Sequence, residues 1–314
     1  MQRKIDDIAL LVIALLLLFM MIVSYPLGAF AFYNGNLGKA YTPTSISEKL
    51  FAFIFGLPVA IPVNVSFSDA FAASLLLYAI MFVISARWPR APITSVLKGK
   101  ARPLENPLVA VAVTFSIMLL GINSLVRLQE MLGISSGGLK DADQLLLFIQ
   151  ATLAPFREEI GFRLSIIGVF ASLAAFSKHR GLSSLYCLFL PKKLLNIISG
   201  RRGSTALWSI NIASAIYFGV SHLIYEPGVW QIGKVSESIV AGLAMGWIYI
   251  EYGFFAAVLL HWAFNYFITA IRLFEVSFGS LGITSIVTYL TILLAIVYLI
   301  SYGYSVIRTK EQKK

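Results

Sequence analysis

Residues 8–23 have the sequence IALLVIALLLLFMMIV, which contains no polar or charged side chain. Further apolar runs follow at residues 70–86, 108–126, 144–176, 205–222, 236–250, 254–271 and 283–306. A helix of about 20 apolar residues is long enough to cross the roughly 30 Å hydrocarbon core of a bilayer. The runs therefore predict an all-α, multi-pass membrane protein with about eight transmembrane helices.

The composition of the 314-residue chain excludes an ordinary soluble domain. Hydrophobic residues make up 58% of the chain and charged residues 13%, and the mean hydropathy is +0.82, whereas about a quarter of the residues in soluble domains are charged. The formal net charge of +10 is weak evidence for nucleic-acid binding, because membrane proteins concentrate Lys and Arg in cytoplasmic loops. We expect membrane lipid around the protein and no nucleic-acid partner.

The first apolar run has two interpretations. Basic residues precede it and Ala29-Phe30-Ala31 resembles a signal-peptidase site, as in a cleaved signal peptide. A retained first span is favoured because Asp6 and Asp7 interrupt the basic segment and the apolar character continues through Phe32.

The distribution of Lys and Arg predicts the orientation. If all eight runs cross the membrane, both termini and residues 87–107, 178–203 and 251–253 lie on one side, which carries 17 Lys and Arg against six on the other. Since Lys and Arg are enriched in cytoplasmic loops, both termini are expected in the cytoplasm. Residues 1–314 are expected to form a single membrane domain, and residues 178–203 a basic cytoplasmic loop with a short interfacial helix.

The fourth run contains residues that a bilayer does not favour. Pro155 predicts a kink or break, and Arg157-Glu158-Glu159-Ile160-Gly161-Phe162-Arg163 follows it. Ionisable side chains at bilayer depth cost at least about 2.5 kcal/mol on insertion scales, so they indicate a functional site. Glu159 and Arg163 are four residues apart and are expected to pair on one helix face. Glu158 then stays free, or forms a second salt bridge to Arg157.

Two of the three histidines also fall in apolar runs. His222 ends Phe218-Gly-Val-Ser-His222, and His261 begins His261-Trp-Ala-Phe-Asn265. The spacing of four residues places each pair on one helix face. For either histidine alone, a hydrogen bond between helices is the simpler explanation. Together with Glu158 they indicate a catalytic site.

These residue types suit hydrolysis of an acyl bond. A carboxylate in apolar surroundings holds a proton more strongly than one in water, which suits Glu158 to deprotonate water. The Asn265 amide and an imidazole N–H are donors of the kind that stabilise an oxyanion. Glu158, His222 and His261 are also a potential zinc ligand set, although the His-Glu-x-x-His sequence of many zinc peptidases is absent.

Three motifs occur in order on successive apolar runs. They are Glu-Glu-x-x-Phe-Arg at 158–163, Phe-x-x-x-His at 218–222 and His-x-x-x-Asn at 261–265. Their combination resembles the CAAX prenyl protease and bacteriocin-processing family, over about residues 144–271, which we take as the catalytic core. Leu164 departs from the glycine that is common after the arginine. The resemblance implies an eight-helix bundle around a conical polar cavity and endopeptidase activity within or near the membrane.

The resemblance also implies roles for the motif residues. Glu158 would be the general base that activates water, helped by His222, while His261 and Asn265 would hold the oxyanion. The supporting residues would be Glu159, Arg163 and Phe218.

The resemblance leaves metal dependence open. A glutamate-activated water without a cofactor is favoured, because Asn265 suits an oxyanion better than a metal site. Zinc held by Glu158, His222 and His261 is the disfavoured alternative.

The implied substrate is a membrane-associated peptide or lipidated protein, such as a prenylated CAAX-type protein cleaved near its C-terminus. The charge distribution places His222 near the non-cytoplasmic end of its run, so it does not support cytosolic access for such a substrate. Two other functions stay open. Glu158, Glu159 and the histidines could form the relay of a proton-coupled transporter, although an Asn265 amide does not change charge. The chain could also be an inactive family member that acts as an interaction protein.

Overall fold

The computed structural model of the protein describes residues 5–34, 48–138, 144–178, 181–197, 200–226 and 228–311. Its α-helices are α1 (Ile5–Asn34), α2 (Phe67–Ser85), α3 (Ile93–Leu97), α4 (Pro107–Met131), α5 (Gln144–Glu158), α6 (Val169–Phe176), α7 (Tyr186–Phe189), α8 (Gly200–Tyr225), α9 (Ile232–Tyr252), α10 (Phe254–Trp262), α11 (Ile268–Phe278) and α12 (Ile283–Glu311). Two π-helical segments, Glu159–Gly168 and Ala263–Phe267, join α5 to α6 and α10 to α11. Short 3₁₀ turns lie at Pro103–Glu105, Leu182–Leu185 and Pro191–Asn196.

The predicted all-α, multi-pass membrane fold is confirmed. Within the described residues, seven helical stretches are long and apolar enough to cross a membrane: Asp6–Asn34, Phe67–Ser85, Pro107–Met131, Leu147–Phe176, Arg202–Tyr225, Phe254–Phe278 and Ile283–Ile307. The predicted run at 236–250 is also helical, within α9, but α9 is not among the seven. Its 21 residues are long enough, and it carries the charged residues Lys234, Glu237 and Glu251.

The centre of the bundle is α10. Every residue from Ala256 to Ala263 is buried, as expected for a helix that is apolar on all sides. Around it lie α2, α4, α5 and α9, while α1 packs against α11, α12 and α4, and α12 also packs against α4. Large apolar side chains such as Phe19 on α1 and Ile300 on α12 stay exposed, and a bilayer would cover them.

Pro155 does not break the fourth span. The sequence predicts a kink or break there, but the helix continues and changes from α to π geometry at Glu159. Proline lacks the N–H that would bond to the carbonyl of residue 151, and a local change of hydrogen-bond spacing is a common response to such a loss within a membrane. The Ser165 hydroxyl donates to the Ile160 carbonyl at 2.7 Å, five residues back along this segment.

A β-hairpin follows α1 that the sequence did not predict. Strands β1 (Glu48–Ile54) and β2 (Leu57–Val65) pair antiparallel, with Ile54 opposite Leu57. The two turn residues, Phe55 and Gly56, both have positive φ angles, 49° and 76°, which is the backbone pattern of a type I′ turn. Such turns are usually recognised by Asn-Gly or Asp-Gly, so Phe-Gly gave no signal.

The hairpin turn reaches the middle of the fourth span. The Gly56 N–H donates to the Gly161 carbonyl at 3.2 Å, and Gly161 lies near the centre of Leu147–Phe176. Gly161 leaves room for Phe53, since an added Cβ would overlap the Cβ of Phe53. Strand backbone at membrane depth is tolerated where it packs on protein or lines a cavity. The hairpin therefore re-enters the span region beside the fourth span.

The loop between α6 and α8 folds back against the bundle. It contains α7 and two 3₁₀ turns, and it buries Cys187 and Leu194. Burial raises the pKa of the Cys187 thiol, an effect that Lys193 opposes. Cys187 therefore stays protonated at neutral pH, which makes it a poor nucleophile.

Gly161→Ala is expected to displace the hairpin and lower the thermal midpoint in detergent, because overpacking a filled site costs about 1–3 kcal/mol. The matched control is Gly121→Ala on α4, where an added Cβ has no neighbour within 4 Å and alanine favours the helix. The thermal midpoints of the two purified variants are measured in detergent and compared with that of the wild-type protein. Equal midpoints would contradict the docking of Phe53 on Gly161.

Candidate active site

A cavity of about 450 Å³ lies between the hairpin, α5, α8, α9 and the α10–α11 region. Its volume is within the roughly 300–1,000 Å³ typical of ligand sites. All four residues predicted to be catalytic line it: Glu158, His222, His261 and Asn265. The structure thus brings together residues from three separate helical stretches, 107 positions apart along the chain at the extremes.

Two adjacent glutamates have different surroundings. Glu158 ends α5 and Glu159 begins the first π-helical segment. The Glu158 side chain is 22% exposed at the cavity, whereas the Glu159 side chain is 0% exposed. Changes to π geometry are frequent at functional sites. Here the change from α to π geometry falls between the two glutamates. The Glu158 carboxylate faces the cavity, and the Glu159 carboxylate lies in the protein core.

His261 lies between these glutamates. Its Nδ1 is 2.8 Å from Glu159 Oε1, its Nε2 is 3.6 Å from Glu158 Oε2, and Asn265 Nδ2 is 3.2 Å from the same Nε2. A nitrogen that faces a carboxylate carries the proton, so Nδ1 donates to Glu159. In the neutral imidazole, Nε2 then accepts from the Asn265 amide. Sequence reasoning missed the contact with Glu159, because the two residues are 102 positions apart.

The predicted ion pair between Glu159 and Arg163 is present. Arg163 NH1 lies 3.2 Å from Glu159 Oε1, with 1% of the arginine side chain exposed. Arg163 NH2 also donates to the Gly242 carbonyl at 3.4 Å, and the guanidinium lies 4.5 Å from the centre of the Phe218 ring. The Glu159 carboxylate is therefore held between a guanidinium and an imidazole.

Phe218 connects this pair to the second histidine. Its ring is edge-on to His222, with centroids 5.0 Å apart, and its carbonyl lies 2.9 Å from His222 Nδ1. The carbonyl can only accept, so Nδ1 donates and Nε2 is left as an acceptor in the neutral ring. Within the described residues, no hydrogen bond or ion pair joins His222 directly to Glu158; both face the same cavity.

Aromatic and charged residues form the mouth of the cavity, and sequence reasoning did not identify them. Phe51 and Phe53 come from the same face of β1, and the Arg157 guanidinium lies 4.4 Å from the centre of the Phe51 ring. The remaining mouth residues are Glu226, Trp230, Lys234 and Glu237. Lys234 Nζ lies 4.6 Å from the centre of the Trp230 ring. In the sequence, the alternation Phe-Ala-Phe at 51–53 is the one local pattern that indicates a strand with both aromatic rings on one face.

The three candidate zinc ligands, Glu158, His222 and His261, all line the cavity. Among the described residues, no group of three or more His, Cys, Asp and Glu side chains is placed to hold a metal ion. Protein groups engage both ring nitrogens of His261, while a metal ligand needs one free for the ion.

Arg163→Ala is expected to lower the thermal midpoint strongly, because removing one partner of a buried ion pair costs about 3–5 kcal/mol. Turnover per folded molecule should fall less than the yield of folded protein. The control is Arg272→Ala, which removes an exposed arginine. An unchanged midpoint together with lost activity would instead give Arg163 a direct role in the reaction.

Comparison with known proteins agrees with the geometry. Residues 142–267 match the family described as Type II CAAX prenyl endopeptidase Rce1-like. No curated protein and no solved structure matches the chain. The matched segment contains all three motifs and all four cavity residues that were predicted to be catalytic. Residues 142–267 of the chain are therefore similar to the Rce1-like type II CAAX prenyl endopeptidases, and this match supports membership of the CAAX prenyl protease family.

Proposed function

We propose that the protein is an intramembrane endopeptidase that uses a glutamate-activated water to hydrolyse a peptide bond near the C-terminus of a membrane-associated protein or peptide. The observation that carries this proposal is the convergence of Glu158, His222, His261 and Asn265 on one cavity, within a segment that matches a peptidase family.

Glu158 is the proposed general base. Its carboxylate faces the cavity and is partly exposed, so water can reach it. As the water oxygen attacks the peptide carbonyl carbon, one water proton moves to Glu158. His222 Nε2 orients the same water by accepting a hydrogen bond from its second O–H. When the C–N bond breaks, Glu158 gives its proton to the leaving amine nitrogen, which regenerates the carboxylate.

Asn265 and His261 stabilise the tetrahedral oxyanion in this proposal. The Asn265 amide has two N–H groups; one lies at His261 Nε2, and the other is available to the oxyanion. His261 adds a donor when it is protonated at Nε2 as well. The two glutamates flank this ring, with Glu158 Oε2 3.6 Å from Nε2 and Glu159 Oε1 2.8 Å from Nδ1.

The geometry supports hydrolysis over a proton relay. A relay across the membrane would have to continue beyond the chain of Glu158, His261 and Glu159. That chain ends at Arg163, which is buried against Phe218 and the Gly242 carbonyl. Arginine stays protonated in proteins, so it does not pass a proton on.

Glu158→Ala, His222→Ala and His261→Ala are each expected to lower peptidase turnover by at least about 100-fold, because each removes a group that moves a proton or stabilises the oxyanion. The assay uses protein reconstituted in membranes with a panel of prenylated and unprenylated C-terminal peptides. The matched control is Glu130→Gln, an exposed glutamate near the end of α4. Variants with normal thermal midpoints and near-normal turnover would refute the assignment.

Protein purified in the presence of a chelator is expected to keep its activity, because a water activated by Glu158 needs no metal. Elemental analysis of the same preparation should show well under one transition metal per chain. A zinc peptidase would lose activity on chelation and regain it when zinc is returned, since the metal is what acidifies its bound water. That result would overturn the proposed mechanism and leave the peptidase proposal intact.

A further inference from the structure

The cavity has its mouth at one end of the helical bundle. Its mouth residues lie on β1, on the connection that follows α8, and in the first two turns of α9. Gln150, in the middle of α5 and two turns before Glu158, also lines the cavity and is exposed. The C-terminal end of α8 and the N-terminal ends of α5 and α9 lie on the same side when consecutive spans alternate in direction. The open end is therefore the side of the hairpin.

The other end of the cavity is closed by packed side chains. Between His261 and the start of α10, the five residues Ala256–Leu260 have no exposed surface. Five residues of α-helix extend about 7.5 Å. Tyr249, Leu207 and Leu194 are buried on neighbouring elements in the same part of the bundle. Water and substrate have no open route to the site through these residues.

Polar contacts tie together the loops at this closed end. Glu251, at the end of α9, pairs with Arg90 at 2.5 Å and with Lys192. The Tyr252 hydroxyl donates to the Leu104 carbonyl at 2.8 Å. The connections before α4 and before α8 and the C-terminal end of α9 are thus joined by polar contacts. This agrees with the alternation of spans that places all three on one side.

The closed end is also the basic end. The sequence-based assignment of loops gives the side of these connections 17 of the 25 Lys and Arg, and the opposite side six. Lys and Arg are enriched in cytoplasmic loops. Orientation by charge and closure by packing are independent observations, and together they relate the site to the two faces of the membrane.

We infer that the cavity opens to the non-cytoplasmic face, and that its substrate is a peptide segment presented from that side. A prenylated C-terminus in the cytoplasm would meet the closed, basic end. A peptide outside the cytoplasm would meet the aromatic mouth formed by Phe51, Phe53 and Trp230. The orientation of the cavity is inferred from the packing and the charge distribution. That the bound peptide is a substrate rests on the proposed peptidase function.

Single-cysteine labelling tests the orientation without any assay of activity. The background is full-length Cys187→Ala, which removes the only native thiol. Gln150→Cys reports on the mouth, Ala154→Cys on the cavity one turn before Glu158, and Thr94→Cys on the exposed basic face. A membrane-impermeant maleimide is added to sealed right-side-out vesicles before and after permeabilisation. Ala151→Cys, which also lines the cavity, replaces Ala154→Cys if that variant fails to fold.

The expected result is labelling of the mouth and cavity cysteines before permeabilisation, and of Thr94→Cys only afterwards. Labelling of Thr94→Cys before permeabilisation would overturn the orientation. A cavity cysteine that reacts only after permeabilisation, or stays unreactive while Gln150→Cys reacts, would overturn the opening. Either failure leaves the peptidase proposal untouched, and normal turnover of Glu158→Ala would leave the labelling result untouched.

Discussion

The site depends on one buried carboxylate. Glu159 has no exposed side-chain surface, and an unpaired charge in such a place would cost several kcal/mol. Its two partners come from different parts of the chain: Arg163 lies four residues away, and His261 lies on α10. The two contacts of Glu159 Oε1 therefore hold the first π-helical segment against the central helix. The same contact sets the His261 ring with Nε2 toward Glu158 and Asn265.

The residues around this carboxylate bring in the remaining helices. Arg163 needs more partners than Glu159 provides, and it finds the Gly242 carbonyl on α9 and the Phe218 ring on α8. Phe218 in turn holds His222 through its carbonyl. Both π-helical segments occur at this junction and contain Glu159, Arg163 and Asn265. Local departures from α geometry are thus concentrated where side chains from several spans meet.

The charged residues of α9 also have a common explanation. Lys234 and Glu237 line the mouth of the cavity, and Glu251 pairs with Arg90 and Lys192 at the opposite end. Charges in membrane helices are tolerated where they face cavities, partners or the interface. This placement accounts for the three charged residues in a helix that is long enough to cross the bilayer.

The sequence by itself determined the membrane class and the positions of the long apolar helices, and it predicted four residues that meet at one cavity. Apolar runs and four-residue spacings are local properties, so Glu159–Arg163 and His261–Asn265 were predicted from neighbours on one helix. Only the tertiary structure decided that His261 bonds Glu159, that a hairpin walls the cavity, and that one end is closed. Contacts between residues about 100 positions apart leave no local pattern, and Phe55-Gly56 lacks the usual signature of its turn.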